Sequence, residues 1–188
     1  MTDFAKLERN IIDIIAEEQI KLGYRSEVVR LYYPLLSLNR LLGTDCDIEQ
    51  IKPLLESFGG YVEDKLGRLE ISNREERFCF MIPAKGSDYV HERMQDDESG
   101  YGFIRDFITT VSKHGVTLDE VLRQFYKYSD QIHVEKVSHG EFDYLVYFEN
   151  GQPDDFRYCI TDEGCHFIYH RFTVEDYNDF HFEDVGNE

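Results

Sequence analysis

IHVEKVSHGEFDYLVYFENGQPDDFRYCITDEGCHFIYHRF, residues 132–172, is the stretch whose reading decides the fold. Runs of Val, Ile, Tyr and Phe alternate with clusters of Gly, Asn, Asp and Pro, the pattern of short antiparallel strands divided by turns. Four strands in two hairpins are expected. With His139-Gly140 as a two-residue turn, Val137 stands opposite Phe142, Lys136 opposite Asp143 and Val134 opposite Leu145. Lys136 and Asp143 would then form an opposite-charge cross-strand pair. Phe142, Tyr144, Val146 and Phe148 line the more apolar face. Asp143, Leu145, Tyr147 and Glu149 line the other, which is not fully polar, so cover is expected at places on both sides. After the turn-forming loop 150–155, a second hairpin joins Phe156–Thr161 to Cys165–Phe172 through Asp162-Glu163-Gly164. Gly164 supplies the left-handed residue, Thr161 faces Cys165, and Cys159 faces Phe167.

Upstream, helical periodicity dominates. Phe4, Leu7, Ile11, Ile14 and Ile15 mark a helix over residues 4–22, stopped by Gly23. Val28, Leu31, Tyr32, Leu35, Leu38 and Leu42 fit a second helix capped by Ser26 and kinked at Pro34. Asp47 and Gln50 make a capping box for a third, closed by Gly59-Gly60. A hairpin follows, whose loop Asn73–Glu76 sets Ile71 against Phe78, Leu69 against Phe80 and Gly67 against Ile82. Ser87 caps a short helix through Met94. The polar run Gln95–Gly100 reads as a boundary between lobes 1–95 and 101–188, unless the two form one continuous domain. Helices over residues 103–114 and 118–128, the latter with a Thr117/Glu120 capping box, lead into the sheet. Thr173 caps a last helix, Val174–Phe180, before an acidic tail, Glu183–Glu188, expected to fray. The class is α+β: N-terminal helices plus a β-hairpin (winged-helix-like), then a helical pair with a four-stranded antiparallel sheet.

Composition bounds the function. The chain of 188 residues carries a formal charge of −18, with thirteen Tyr and fourteen Phe, which argues for a packed core rather than disorder. Residues 1–95 hold 13 Lys/Arg and 17 Asp/Glu, residues 96–188 hold 7 and 21, so the acidity sits mainly in the second half. Such a field repels nucleic-acid backbones and anionic membranes and favours a basic protein partner. No run approaches the ~20 apolar residues of a membrane helix, and no signal peptide is visible. Four scattered cysteines do not suggest a disulfide framework, so a cytoplasmic location is expected.

Three constellations merit attention. Cys159, Cys165, His166 and His170 are four zinc-type ligands within a dozen residues. Along a strand, however, His166 and His170 lie roughly 13 Å apart at ~3.3 Å per residue, and in the register above both thiols face away from both histidines. No metal and no cofactor is therefore expected. Arg157, Tyr169, His170 and Arg171, with Asp154 and Asp155, offer guanidinium and aromatic groups for a small anion, or for ion pairs and stacking on a half-exposed face. In the N-terminal lobe, helices followed by a hairpin suit a DNA-associated regulator, but Glu49 and Glu56 on the third helix suit a phosphate backbone poorly. Sequence motifs of nucleotide-binding loops, serine hydrolases and zinc proteases are absent.

Two segments carry a family resemblance: Glu18-Gln19-Ile20-Lys21-Leu22-Gly23-Tyr24-Arg25 leading into Leu31-Tyr32-Tyr33-Pro34-Leu35, and Pro153-Asp154-Asp155-Phe156-Arg157-Tyr158-Cys159 leading into Tyr169-His170-Arg171-Phe172. Together they resemble an uncharacterised bacterial, Firmicutes-type family known as a domain of unknown function. The resemblance spans nearly the whole chain. It implies a bacterial cytoplasmic protein and carries over no catalytic residue. The reading that follows is a non-catalytic interaction or regulatory protein. The alternatives are a winged-helix-like DNA regulator acting through residues 1–95, and an anion-binding protein or enzyme with a site near Arg157 and Arg171.

Overall fold

The computed structural model describes residues 2–96, 98–138 and 140–183. The fold is α+β, and the chain divides into two compact units, Met1–Asp97 and Glu98–Glu188.

In the first unit the order is α1 (Phe4–Leu22), β1 (Val29–Pro34), α2 (Leu35–Leu42), α3 (Ile48–Leu66), β2 (Glu70–Arg74), β3 (Arg77–Ile82) and α4 (Ala84–Asp96). The expected second helix is replaced in its first half by a strand. Pro34 explains this, because its ring drives the preceding residue into extended backbone, while its fixed φ suits the position just before a helix. Val29, Leu31 and Tyr33 then read at period two, and Leu31 and Tyr33 turn inward. Helix α3 opens with the expected capping box but does not stop at Gly59-Gly60; it runs to Leu66. Val62 and Leu66 continue the buried stripe of Ile51, Leu55 and Phe58, and burying that stripe outweighs about 1 kcal/mol per helical glycine. Ser87 is no cap. It lies inside α4, where its hydroxyl donates to the Arg25 carbonyl at 2.8 Å and accepts from Gln19 Nε2 at 3.1 Å.

The three strands form an antiparallel sheet in the order β1-β3-β2. Its hairpin turns on two residues, Glu75 and Glu76, not four, so Ile71 pairs with Phe80 rather than Phe78. That slip of two residues leaves every side chain on its expected face, and Phe78, Phe80 and Ile82 are buried against the helices.

The second unit runs α5 (Glu98–Val111), α6 (Leu118–Tyr128), β4 (Ile132–Lys136), β5 (Tyr144–Phe148), β6 (Arg157–Asp162), β7 (Phe167–Phe172) and α7 (Val174–Glu183). The expected polar linker is largely helical: α4 reaches Asp96 and α5 starts at Glu98, with Asp97 outside the described residues. The Thr117/Glu120 capping box and the Thr173 cap both form. The four expected antiparallel strands form one sheet, in the meander order β4-β5-β6-β7.

Its registers differ from expectation. Val134 pairs with Val146 and Lys136 with Tyr144, a shift of one that opens a loop between Lys136 and Tyr144 instead of a two-residue turn. His139, the first expected turn residue, lies outside the described residues, as does the tail beyond Glu183. In the second hairpin Thr161 pairs with Ile168 and Cys159 with His170, a shift of three. Odd shifts reverse which cross-strand partners share a face.

One face of this sheet meets α5 and α6 through an aromatic cluster. Phe103 lies 4.8 Å from both Phe125 and Phe148, and Phe107 lies 4.9 Å from both Tyr158 and Tyr169, all edge to face. The other face carries a smaller core of Phe142, Leu145 and Cys159, joined by Tyr177 of α7. Cover on both sides at places is thus what the structure shows.

Candidate functional site

In the first unit, α3 and β2 stand apart around a cleft of about 510 Å³. Its floor includes Leu55 and Phe78, both buried. Its helical wall carries Lys52, Glu56 and Glu63, with Gly59 and Gly60 between them; a Cβ on either glycine would meet nothing within 4 Å. The other wall is β2 itself, through Leu69, Ile71, Ser72 and Asn73, with Arg68 at one end.

Strand β2 is an edge strand. In a two-residue hairpin the closing residues, here Arg74 and Arg77, exchange both backbone bonds, and the antiparallel ladder then alternates. Ile71 and Asn73 therefore turn their backbone N–H and C=O groups away from β3, toward the open flank. Such a row of outward groups is a template for another strand. Two guanidiniums also meet here, because Arg74 stands directly opposite Arg77, a like-charge pair that costs stability unless neutralised. Lys52 on the helix wall is already joined to Glu49 at 2.6 Å.

Sequence reasoning missed this cleft because it ended α3 at Gly59-Gly60. The helical spacing of Phe58, Val62 and Leu66 was the signal that would have found it.

The residues singled out in the second unit are divided by the sheet. Arg157 pairs with Phe172 and His170 with Cys159, on the face that carries Leu145 and Tyr177. Arg171 pairs with Tyr158 and Tyr169 with Ile160, on the face toward α5 and α6. Arg157 and Arg171 therefore do not converge on one anion. Each lies over a ring: Arg157 at 3.6 Å from the Tyr147 centroid and Arg171 at 4.2 Å from that of Phe156. His133 stacks on Tyr147 as well, at 4.6 Å, so His133, Tyr147 and Arg157 form a continuous row across three strands.

Asp154 accepts from the Tyr158 hydroxyl at 2.6 Å and from the Phe156 amide at 3.2 Å. Burial raises its carboxyl above the usual carboxylate range, opposed by the Tyr158 hydrogen bond and the charge of Arg171. Burial likewise raises the Tyr158 hydroxyl well above the ordinary tyrosine value. Asp155 is exposed, and its carbonyl accepts from Arg157 Nη1 at 3.4 Å.

The four metal-type residues fall into two pairs. Cys159 is buried and lies across from His170 on the same face, contrary to the expected register, and burial pushes its thiol up to about 12. Cys165 Sγ lies 3.3 Å from His166 Nδ1 in the exposed β6–β7 turn. Among the described residues no group of three or more His, Cys, Asp or Glu is placed to hold a metal ion. No described helix is long and apolar enough to cross a membrane.

A family model described as "Domain of unknown function, E. rectale Gene description (DUF3877)" matches residues 4–181. No curated protein and no solved structure matches the chain.

Proposed function

We propose that this chain, which belongs to that family, is a non-catalytic interaction protein whose partner-binding element is the open flank of β2. One observation carries the reading: a cleft of about 510 Å³ lies between α3 and the edge strand β2, whose Ile71 and Asn73 backbone groups point away from β3. An extended segment laid there gains main-chain hydrogen bonds and side-chain contacts with Leu69 and Ile71.

A DNA-associated reading has one supporting observation. The order helix, strand, helix, helix, hairpin, with β1 completing the sheet, would suit a winged-helix module. The charge on α3 counts against it. Glu49, Glu56, Glu63 and Asp64 are exposed there, while Lys52 and Lys65 are joined to Glu49 and Glu8 at 2.6 Å. Phosphate contacts need free cations.

The test is a photo-crosslinking residue at Ser72 in the full chain, expressed in cells, with a control at exposed Asp119 on α6. Adducts specific to position 72, lost when Asn73→Pro removes an outward N–H without touching the β3 ladder, are the expected result. An equal yield of adducts at both positions, or none at 72, overturns the reading.

A further inference from the structure

Resting on the reading of β2 as the binding edge, the geometry points to the occupant: we propose that it is β2 of a second copy of this chain, paired antiparallel about a two-fold axis at Ser72.

Two constraints select this arrangement. The first is parity. Only Ile71 and Asn73, with Leu69 beyond them, present backbone groups outward, so residues of this odd-numbered set must be the ones that exchange hydrogen bonds with the copy. Every permitted two-fold axis therefore passes through a residue, never between two.

The second constraint is charge. An axis at Glu70 or Arg74 sets that residue against itself, and like charges directly opposite are destabilising. An axis at Ile71 sets Glu70 against Ser72, and one at Asn73 sets Ser72 against Arg74, so neither pairs opposite charges within the strand Glu70–Arg74. The axis at Ser72 instead sets Glu70 against Arg74 on both sides of the axis and the two serines against each other. Ile71 then exchanges its outward bonds with Asn73 of the copy, as parity requires. Glu70 and Arg74 become a pair of the closer, non-hydrogen-bonded kind, where side chains interact most strongly.

A third observation agrees. Arg74 and Arg77 oppose each other within the hairpin, and no ion pair to either is seen among the described residues. The Glu70 carboxylate of the second copy arrives at that position. The charge distribution permits it as well, since residues 1–95 carry a net charge of only −4.

The edges at β1 and β4 differ: β1 ends on Pro34, and on β4 the His133 ring and the Glu135 carboxylate already meet at 3.3 Å within the chain. Pairing at β2 gives one continuous six-stranded sheet, β1-β3-β2 followed by the same strands of the copy in reverse order.

Light scattering with size exclusion on the full chain, over a dilution series, reads the outcome. The wild type is expected to approach twice the chain mass of 22.3 kDa as concentration rises. Glu70→Arg alone and Arg74→Glu alone should each stay monomeric, because each sets like charges against each other twice. An equimolar mixture of the two variants should dimerise, since both cross-strand pairs are then opposite in sign. Circular dichroism confirms that both variants remain folded.

A direct probe uses Ser72→Cys in a Cys79→Ser, Cys165→Ser background, chosen because Cys79 stands opposite Ser72 on β3 and Cys165 is exposed. Mild oxidation should yield a covalent dimer, while Glu70→Cys in the same background should not. A wild type that stays monomeric throughout, or variants whose mixture stays monomeric, overturns the proposal. If position 72 then still crosslinks specifically to a different protein, the edge remains a binding site and only the identity of its occupant was wrong. Absence of any specific adduct there removes both.

Discussion

The sheet β1-β3-β2 buries one face, through Phe78, Phe80 and Ile82, and leaves the flank of β2 open. The sheet β4-β5-β6-β7 buries its central strands on both faces, through Val146, Phe148, Tyr158 and Ile160 on one side and Leu145 and Cys159 on the other. The first unit is held by aliphatic stripes from several helices, with fewer ring contacts among the described residues, centred on Phe58 and Phe80. The second relies on rings meeting rings. A sheet that packs on both sides spends its apolar surface internally, whereas a sheet with one covered face and a cleft beside its edge strand β2 leaves room for another chain there. Under the function proposed above, the second unit would serve as architecture and the first as the recognition element.

The sharpest way to break that contrast is to shave the rings. Phe107 lies near Phe103, Phe125, Tyr158 and Tyr169 at 4.9–5.9 Å, whereas Phe80 meets Tyr33 at 5.2 Å and Phe58 at 6.4 Å. Truncation to Ala should cost about 3–5 kcal/mol at either position in urea denaturation. The informative comparison is Phe→Leu, which removes the ring together with the same volume at both positions, so that ring contacts account for the difference between them. Aromatic pairs add about 0.5–1.5 kcal/mol each beyond area, so Phe107→Leu should cost more than Phe80→Leu by about 1 kcal/mol or more. Equal losses would show that ring pairing does not distinguish the units.

Next in size is the Tyr158–Asp154 contact. Tyr158→Phe removes the shorter of the two hydrogen bonds to a half-buried carboxylate and should cost about 1–3 kcal/mol near neutral pH. Because burial raises the Asp154 carboxyl above its unfolded value, the unfolded chain loses that proton first. The contribution to stability is therefore best below the ordinary carboxylate range and declines as pH rises through it to the raised value. Removing the hydroxyl that favours the charged form raises the carboxyl further and steepens that decline. The cost of Tyr158→Phe should thus shrink in acid, and Asp154→Asn should flatten the profile.

Glu120 has the opposite sign. Hydrogen bonds from the Thr117 amide and hydroxyl lower its carboxyl below the usual value. Its contribution is present above the unfolded value and is lost as pH falls through the depressed one. Thr117→Ala removes one half of the capping box at the start of α6 and should cost roughly 1 kcal/mol. Thermal melts across the acid range separate the two residues: on acidification Thr117→Ala should lose only the part of its effect that runs through the Glu120 carboxylate and keep the part from the Glu120 amide's bond to the hydroxyl, with no steepening toward neutral pH.

What could be read from residues alone follows the same physics. Capping boxes are local, so Asp47/Gln50 and Thr117/Glu120 were legible, as were α1 and the four antiparallel strands. Pro34 was legible in principle, but the helical spacing of Leu31, Leu35 and Leu38 masked the period-two run Val29, Leu31, Tyr33. Registers were not legible, because turn length fixes them and Glu75 adopts a left-handed backbone, φ 54°, that few would assign to glutamate. The consequence depended on parity. A slip of two preserved the faces of the first hairpin, while slips of one and three reversed partners in the second sheet. Cys159 and His170 changed from opposite faces to the same one for that reason, and the β2 edge with its cleft was hidden by an early stop to α3.

The smallest expected effect concerns the row His133, Tyr147 and Arg157, and it bears directly on the division of labour between the units. Arg157 over Tyr147 is a cation–π contact on a partly covered face, of the order of 0.5–1 kcal/mol. If the row is only architecture, Arg157→Gln should lower stability by about that much, and phosphate or small carboxylates should stabilise wild type and variant equally little in thermal-shift measurements. A site that grips anions behaves differently, because ligand present at ~100 times its dissociation constant adds ~2.7 kcal/mol to the wild type and nothing to the variant. Arg171 supplies the control, since it lies on the opposite face over Phe156 and near Asp154. Anion stabilisation lost in both Arg157→Gln and Arg171→Gln would require the two guanidiniums to meet, which the register Arg157↔Phe172 and Tyr158↔Arg171 forbids. That result would return recognition to the second sheet and make its rings part of a site.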